Sequence, residues 1–196
     1  AWLEEAVALN SYLGLHFSDT ERGGFFTVSD EGEPLIVRTK EIYDGAIPSA
    51  NSMMLSNLVL LGHVTGDQRY EELASRLADG FCGVVSRAPS SFCFYLCGLD
   101  HLLGPALDIV VAGSDADPVA QDMIRLVRDT YLPSHTIQFR RTPQINSVLD
   151  SLAPFTRTMT AQNGKATAYV CSGRACSAPV TDPDSLREII GKKGDR

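Results

Sequence analysis

The chain predicts a mixed fold, a helical first half over residues 1–105 and a small α/β unit over residues 106–196. Three observations carry that division. Apolar residues recur at helical spacing through the first half, whereas from Leu107 short apolar runs alternate with amphipathic stretches. Gly104-Pro105 breaks the chain between the two patterns. The charge shifts at the same place: residues 1–105 hold 6 basic against 14 acidic side chains, residues 106–196 hold 11 against 10.

In the first half, Leu3, Ala6, Val7, Tyr12, Leu13 and Phe17 predict a helix over 2–17. The stretch DTERGGFFTVSDEGEP, with Gly23-Gly24 and a second turn at Glu31-Gly32, predicts a small β-hairpin. Turn signals at Asp44-Gly45 and Ile47-Pro48 lead into an apolar helix over about 51–65, with Ser49, Asn51 and Ser52 able to cap it. Thr65-Gly66-Asp67 stops that helix and caps the next, over about 68–87. A shorter apolar helix follows over 91–103, on which Cys93 and Cys97 share one face among apolar neighbours and read as core cysteines.

In the second half, Leu107–Ala112, Thr136–Arg140 and Ala166–Cys171 read as three strands. Helices are expected over 118–131, about 145–153 and 183–191; Asp117-Pro118 and Asp182-Pro183 supply a cap and a first-turn proline for two of them. Strand–helix alternation implies a three-stranded parallel sheet with right-handed crossovers.

Composition excludes several functions. Hydrophobic residues at 44% and charged residues at 21% are ordinary globular values, in a chain long enough to bury a sizeable core. The acidic first half and net charge of −7 argue against nucleic acid, whose phosphates need Lys and Arg. No apolar run approaches the roughly 20 residues that span a bilayer, and no signal-peptide pattern opens the chain. The chain starts without Met inside a helical pattern, which reads as a piece of something longer. Five cysteines, an odd number, favour reduced thiols and a cytoplasmic setting. The GSDADP loop occupies a phosphate-loop position, but it lacks a glycine-rich motif and Asp115 and Asp117 would repel a phosphate. Histidines 16, 63, 101 and 135 show no ligand spacing, and neither a nucleophile motif nor a cofactor motif is present.

RGGFF at 22–26, KEIYDGAIPSANS at 40–52, TGDQRY at 65–70 and KATAYVCSGRACSAPVTDP at 165–183 together resemble the C-terminal part of one family. It is the YyaL-type thioredoxin-domain-containing proteins, which include the spermatogenesis-associated thioredoxin-like proteins. The resemblance covers almost the whole chain. It implies a partial α/α toroid, like that of N-acylglucosamine 2-epimerases and other six-hairpin, carbohydrate-active proteins, followed by the α/β unit. The family's thioredoxin-like CxxC is absent, so the implied partners are the remaining toroid helices and that domain. An apolar face left without those helices predicts self-association.

Two places carry candidate chemistry. In the Lys40–Ser52 loop, Asp44 with Glu41 can supply a general acid and base, with Lys40, Tyr43, Ser49 and Asn51 binding the hydroxyls of a sugar-like molecule. Phe25 can stack on a sugar ring. The plainer reading is that Asp44 and Ser49 cap a helix, Lys40 and Glu41 are solvated and Phe25 seals the hairpin. The second place is Cys171 with Cys176, expected with Arg140-Arg141 and the Gly113–Asp117 loop at the carboxyl edge of the sheet. Arg174 there can activate a thiol. That pair supports a redox-linked or scaffolding module, against two quiet structural cysteines. As a zinc site it lacks a second CxxC or a nearby His.

Overall fold

The computed structural model describes residues 2–143, 147–173 and 175–194. The chain divides into two compact units, residues 1–62 with 67–103, and residues 104–196 with 63–66. The short segment 63–66 joins the second unit for identifiable reasons. Val64 O accepts from Gln138 Nε2 at 3.1 Å, His63 Nδ1 lies 3.1 Å from Asp108 Oδ2, and Gly66 lies against the Phe155 ring.

The first unit contains α1 (Trp2–His16), α2 (Ala50–Thr65, through Gly62), α3 (Gln68–Val85) and α4 (Cys93–Leu103), with a 3-10 turn at Pro89–Ser91. Its core gathers Leu55, Leu58 and Val59 of α2, Ala74, Leu77, Ala78, Phe81 and Val85 of α3, and Phe92 and Tyr95. The α3 residues fall at helical spacing and form one apolar stripe. Asp67 caps α3, accepting from Arg69 N at 3.0 Å. On α4 the buried positions are Tyr95 and Gly98, so Cys93 and Cys97 occupy the opposite, exposed side. The core placement expected for these cysteines is therefore corrected: the helix turns Tyr95, not its sulfurs, inward.

The expected hairpin over 19–34 also differs. It reduces to a single antiparallel bridge, Ser18 to Phe25. Gly23 and Gly24 have φ of 73° and 77°, a left-handed turn that a side chain resists. A Cβ on Gly23 would come within 2.2 Å of Arg76 O on α3, so this turn lies directly on the helix backbone. The backbone of Phe25 bonds to the side chain of Asn51 instead of a second strand.

The second unit is built on a four-stranded sheet in the order β2-β1-β3-β4: β1 (Leu107–Gly113), β2 (His135–Arg141), β3 (Thr167–Ser172) and β4 (Ala175–Cys176). Helices α5 (Pro118–Asp129) and α7 (Pro183–Gly194) cover one face; α6 (Ser147–Leu152) and a 3-10 turn (Pro154–Thr158) lie between β2 and β3. The expected helix over 145–153 begins on residues outside the described ones. Strands β1 and β2 are parallel, as the alternation implies. Strand β3 is antiparallel to β1, so the all-parallel sheet is corrected to a mixed one. The cause is the connection. Thr142 N bonds to Gly113 O at the top of β1, and β3 enters with Thr167 paired to Ala112 at that same end. Because β2 ends and β3 begins at the same end of β1, β3 runs antiparallel to it.

The two faces of this sheet differ in chemistry. Leu107, Ile109, Val111, Ala168 and Val170 pack on Ala120, Met123 and Val127 of α5 and on Leu186 and Ile190 of α7. The reverse face carries Asp108, Thr136, Gln138 and Arg140, all buried. Buried polar groups need partners. Thr136 Oγ1 donates to Asp108 Oδ1 at 2.7 Å, and Arg140 Nη1 donates to Asp150 Oδ1 at 2.6 Å and Thr156 Oγ1 at 3.3 Å.

Candidate functional site

The Lys40–Met54 run holds its polar residues in place through bonds to its own surroundings. Asn51, fully buried, accepts from Phe25 N at 2.7 Å and donates to Phe25 O at 2.9 Å and Glu41 O at 2.7 Å. Ser49 caps α2: its Oγ accepts from Ser52 N at 3.1 Å and donates to Ser52 Oγ at 2.9 Å. Asp44 Oδ1 accepts from Ser49 N and its Oδ2 from Tyr95 N, both at 2.9 Å, so one carboxylate braces the starts of α2 and α4. Burial pushes the Asp44 carboxyl up, but the N–H groups of Ser49 and Tyr95 outweigh it and hold it below the usual range. A carboxylate held ionised this way is a poor general acid.

Lys40 Nζ donates to Asp19 Oδ2 and to Gly23 O, each at 2.7 Å, and so fastens the Gly23-Gly24 turn. That bond from Lys40 is the chief reason the Asp19 carboxyl also lies below its usual range. Phe25 belongs to the core of the first unit, where its ring is not presented for stacking. Glu41 and Tyr43 are exposed. The residues expected to bind a sugar are thus together in space, but Lys40, Asp44, Ser49 and Asn51 are engaged in holding the loop.

The second unit presents open space at the carboxyl ends of β1 and β2. A cleft of about 730 Å³ is lined by Gly113, Ser114 and Asp117, by Arg140 and Asp150, and by Thr142, Thr160 and Ala161 among others. Arg140 is buried, and its Nε has no hydrogen-bond partner among the described residues. Asp117 caps α5, accepting from Val119 N at 2.9 Å. Arg141 Nε donates to Asp115 Oδ2 at 2.7 Å, so the Arg140-Arg141 pair and the Gly113–Asp117 loop share this edge. The opposite wall is shaped by a tight turn at Asn163-Gly164, with φ of 51° and 74°, bridged from Gln162 to Lys165.

Cys171 and Cys176 do not sit at this edge. Because β3 is antiparallel, Cys171 lies beside Asp108 at the amino end of β1, and it is joined to Cys176 by a disulfide. The expectation of reduced thiols and of a shared edge is corrected by that strand direction and pairing. Arg174 lies outside the described residues. Among the described residues no cluster of three or more His, Cys, Asp or Glu is arranged to hold a metal ion, and no helix is long and apolar enough to cross a membrane.

No family model matches the chain. The human protein named spermatogenesis-associated protein 20 is 31% identical over 191 residues, which cover 97% of this chain and 24% of the relative. The rat protein of that name is 30% identical over 194 residues with the same coverage. The chain is similar to one stretch of each of these proteins. A Caenorhabditis elegans protein, uncharacterized protein B0495.5, is 23% identical over 191 residues. The chain spans about a quarter of the length of these relatives.

The cleft contains residues that reading the sequence passed over. Asp150, Thr142, Thr160 and Ala161 carry no local pattern that marks them. The Asn163-Gly164 dipeptide does: it is a strong short-range turn signal, and it announces the chain reversal that forms the cleft wall.

Proposed function

We propose that the chain is a carbohydrate-binding segment of a longer protein, and that its ligand is a small uncharged polyhydroxyl compound held in the cleft of the second unit. The observation that carries this reading is the chemistry of the lining. Arg140 offers donors, Asp117 and Asp150 offer acceptors, and Ser114, Thr142 and Thr160 offer hydroxyls that do both. Two carboxylates against one guanidinium leave a formal charge of −1, which disfavours phosphates and carboxylates. A cation would face the buried Arg140 guanidinium. Among the described residues no aromatic side chain lines the wall, which disfavours flat apolar ligands. A hydroxyl-rich neutral molecule satisfies both donors and acceptors.

The volume falls within the range of small-molecule sites, and the carboxyl ends of parallel strands are where open α/β sheets gather ligands. The likeness to six-hairpin, carbohydrate-active proteins agrees with this class, with the first unit as part of an α/α toroid completed by the rest of the longer protein. Exposed Leu35, Ile36 and Val37 supply an apolar surface for such packing or for self-association.

Saturation-transfer NMR of the full chain with myo-inositol and glucose, and with methyl phosphate and lysine as charged controls, tests the reading. Transfer to the neutral compounds alone is expected, and its loss in Ala161→Trp, which fills the cleft. Absence of transfer to either neutral compound, or equal transfer to methyl phosphate, refutes it.

A further inference from the structure

We propose that Cys171 and Cys176 form a reversible dithiol–disulfide pair, with Sγ of Cys176 as the sulfur that exchanges with a partner dithiol. The pair lies at the opposite end of β1 from the cleft, so this inference does not rest on the carbohydrate reading. The two cysteines face each other across the β3–β4 register, with Cα atoms 3.9 Å apart and a sequence separation of 5. Closing so short a loop removes little unfolded-chain entropy compared with a long one, so the bond has limited value as a staple. Strand β3 keeps its ladder to β1 from Ala112 down to Leu107 whether or not the bond exists. Only the two-residue, exposed β4 depends on it, and breaking the bond is a local event.

The two sulfurs differ in surroundings. Cys171 is buried with Val110 and Met159, and Tyr169 packs against the same cluster. Cys176 is exposed. Exchange requires a thiolate to approach one sulfur while the other leaves. Only Cys176 offers that approach, because Cys171 is enclosed by Val110, Met159 and Tyr169.

A thiolate of the reductant attacks Sγ of Cys176, forming an intermolecular disulfide and releasing Cys171 as a thiolate, which takes a proton from water. The second thiol of the reductant, on losing its proton, attacks the reductant's own sulfur in the mixed disulfide and releases Cys176. Two electrons pass to the Cys171–Cys176 pair, and the reductant leaves as a disulfide. In the reverse direction Cys176 is the attacking thiolate and Cys171 resolves the mixed disulfide.

The test treats the oxidised full chain with reduced glutathione, quenches with acid and maps adducts by mass spectrometry, with the free thiols Cys82, Cys93 and Cys97, which gain no glutathione without an oxidant, as negative controls. A glutathione adduct on Cys176 in about tenfold or greater excess over Cys171 is expected. Full reduction with dithiothreitol should lower Tm by only a few degrees. Adducts on Cys171, a bond that resists glutathione until the chain unfolds, or global unfolding on reduction each overturn the proposal.

Discussion

The Lys40–Ser52 loop and the cleft at the ends of β1 and β2 are both polar, turn-rich segments at the start of a helix, yet their side chains do opposite work. In the loop, Asn51 ties down Phe25 and Glu41, Asp44 joins the starts of two helices and Lys40 fastens a glycine turn. In the cleft, Arg140 is anchored by Asp150 and Thr156, but its Nε has no partner among the described residues and its neighbours line open space. A concentration of chemical residue types is therefore not itself a site. A site needs polar groups left over after the backbone has been satisfied.

That contrast can be broken by mutation. Asn51→Ala leaves Phe25 N, Phe25 O and Glu41 O without their partner, and should cost about 3–5 kcal/mol by urea unfolding. If Asn51 were instead a ligand group, the variant would keep its stability. Asp44→Ala removes the acceptor for two helix starts and should cost about 2 kcal/mol at neutral pH. The folded Asp44 carboxyl lies below its usual range, so its contribution is present above an unfolded-state pKa of about 3.9 and fades as pH falls through the lower folded value. The gap between wild type and Asp44→Ala should therefore narrow in acid; a gap constant down to pH 2 contradicts the brace.

Tyr95 sharpens the same side of the comparison. Burial raises its hydroxyl to about 12, and it donates to Ala78 O at 2.8 Å. The neutral form is favoured in the fold, so stability from this group is full below pH 10 and is lost as pH rises toward 12. Tyr95→Phe should cost about 1 kcal/mol and weaken that alkaline decline, followed by unfolding and phenolate absorbance. Ala161→Trp has the smallest effect on stability, below about 0.5 kcal/mol, because the residue sits on a partly exposed loop. Its effect belongs to ligand binding instead.

Much of the fold was legible because its signals are local. Asp117-Pro118 and Asp182-Pro183 mark the starts of α5 and α7, and in both the aspartate accepts a backbone N–H, from Val119 and Ser185. Strands β1, β2 and β3 stand within a residue of their expected bounds. What was not legible is non-local. The direction of β3 depends on where residues 142–166 lie, and no pattern within TAYVCS encodes it. Strand β2 alternates Thr136, Gln138 and Arg140 with Ile137 and Phe139, which reads as a polar face toward water. In the structure that polar face is the more buried one, covered by partners such as Asp150, Thr156 and the 63–66 segment, all far away in sequence. The role of Asn51 was hidden for the same reason, since its partner Phe25 lies 26 positions away.

The central claim is that ligand chemistry lies in the cleft and structural chemistry in the loop. Saturation transfer from the chain to myo-inositol, compared between Asp44→Ala and Ala161→Trp at a temperature where both remain folded, tests it most directly. Transfer is expected to persist in Asp44→Ala and to disappear in Ala161→Trp. Transfer lost in Asp44→Ala and retained in Ala161→Trp would contradict it.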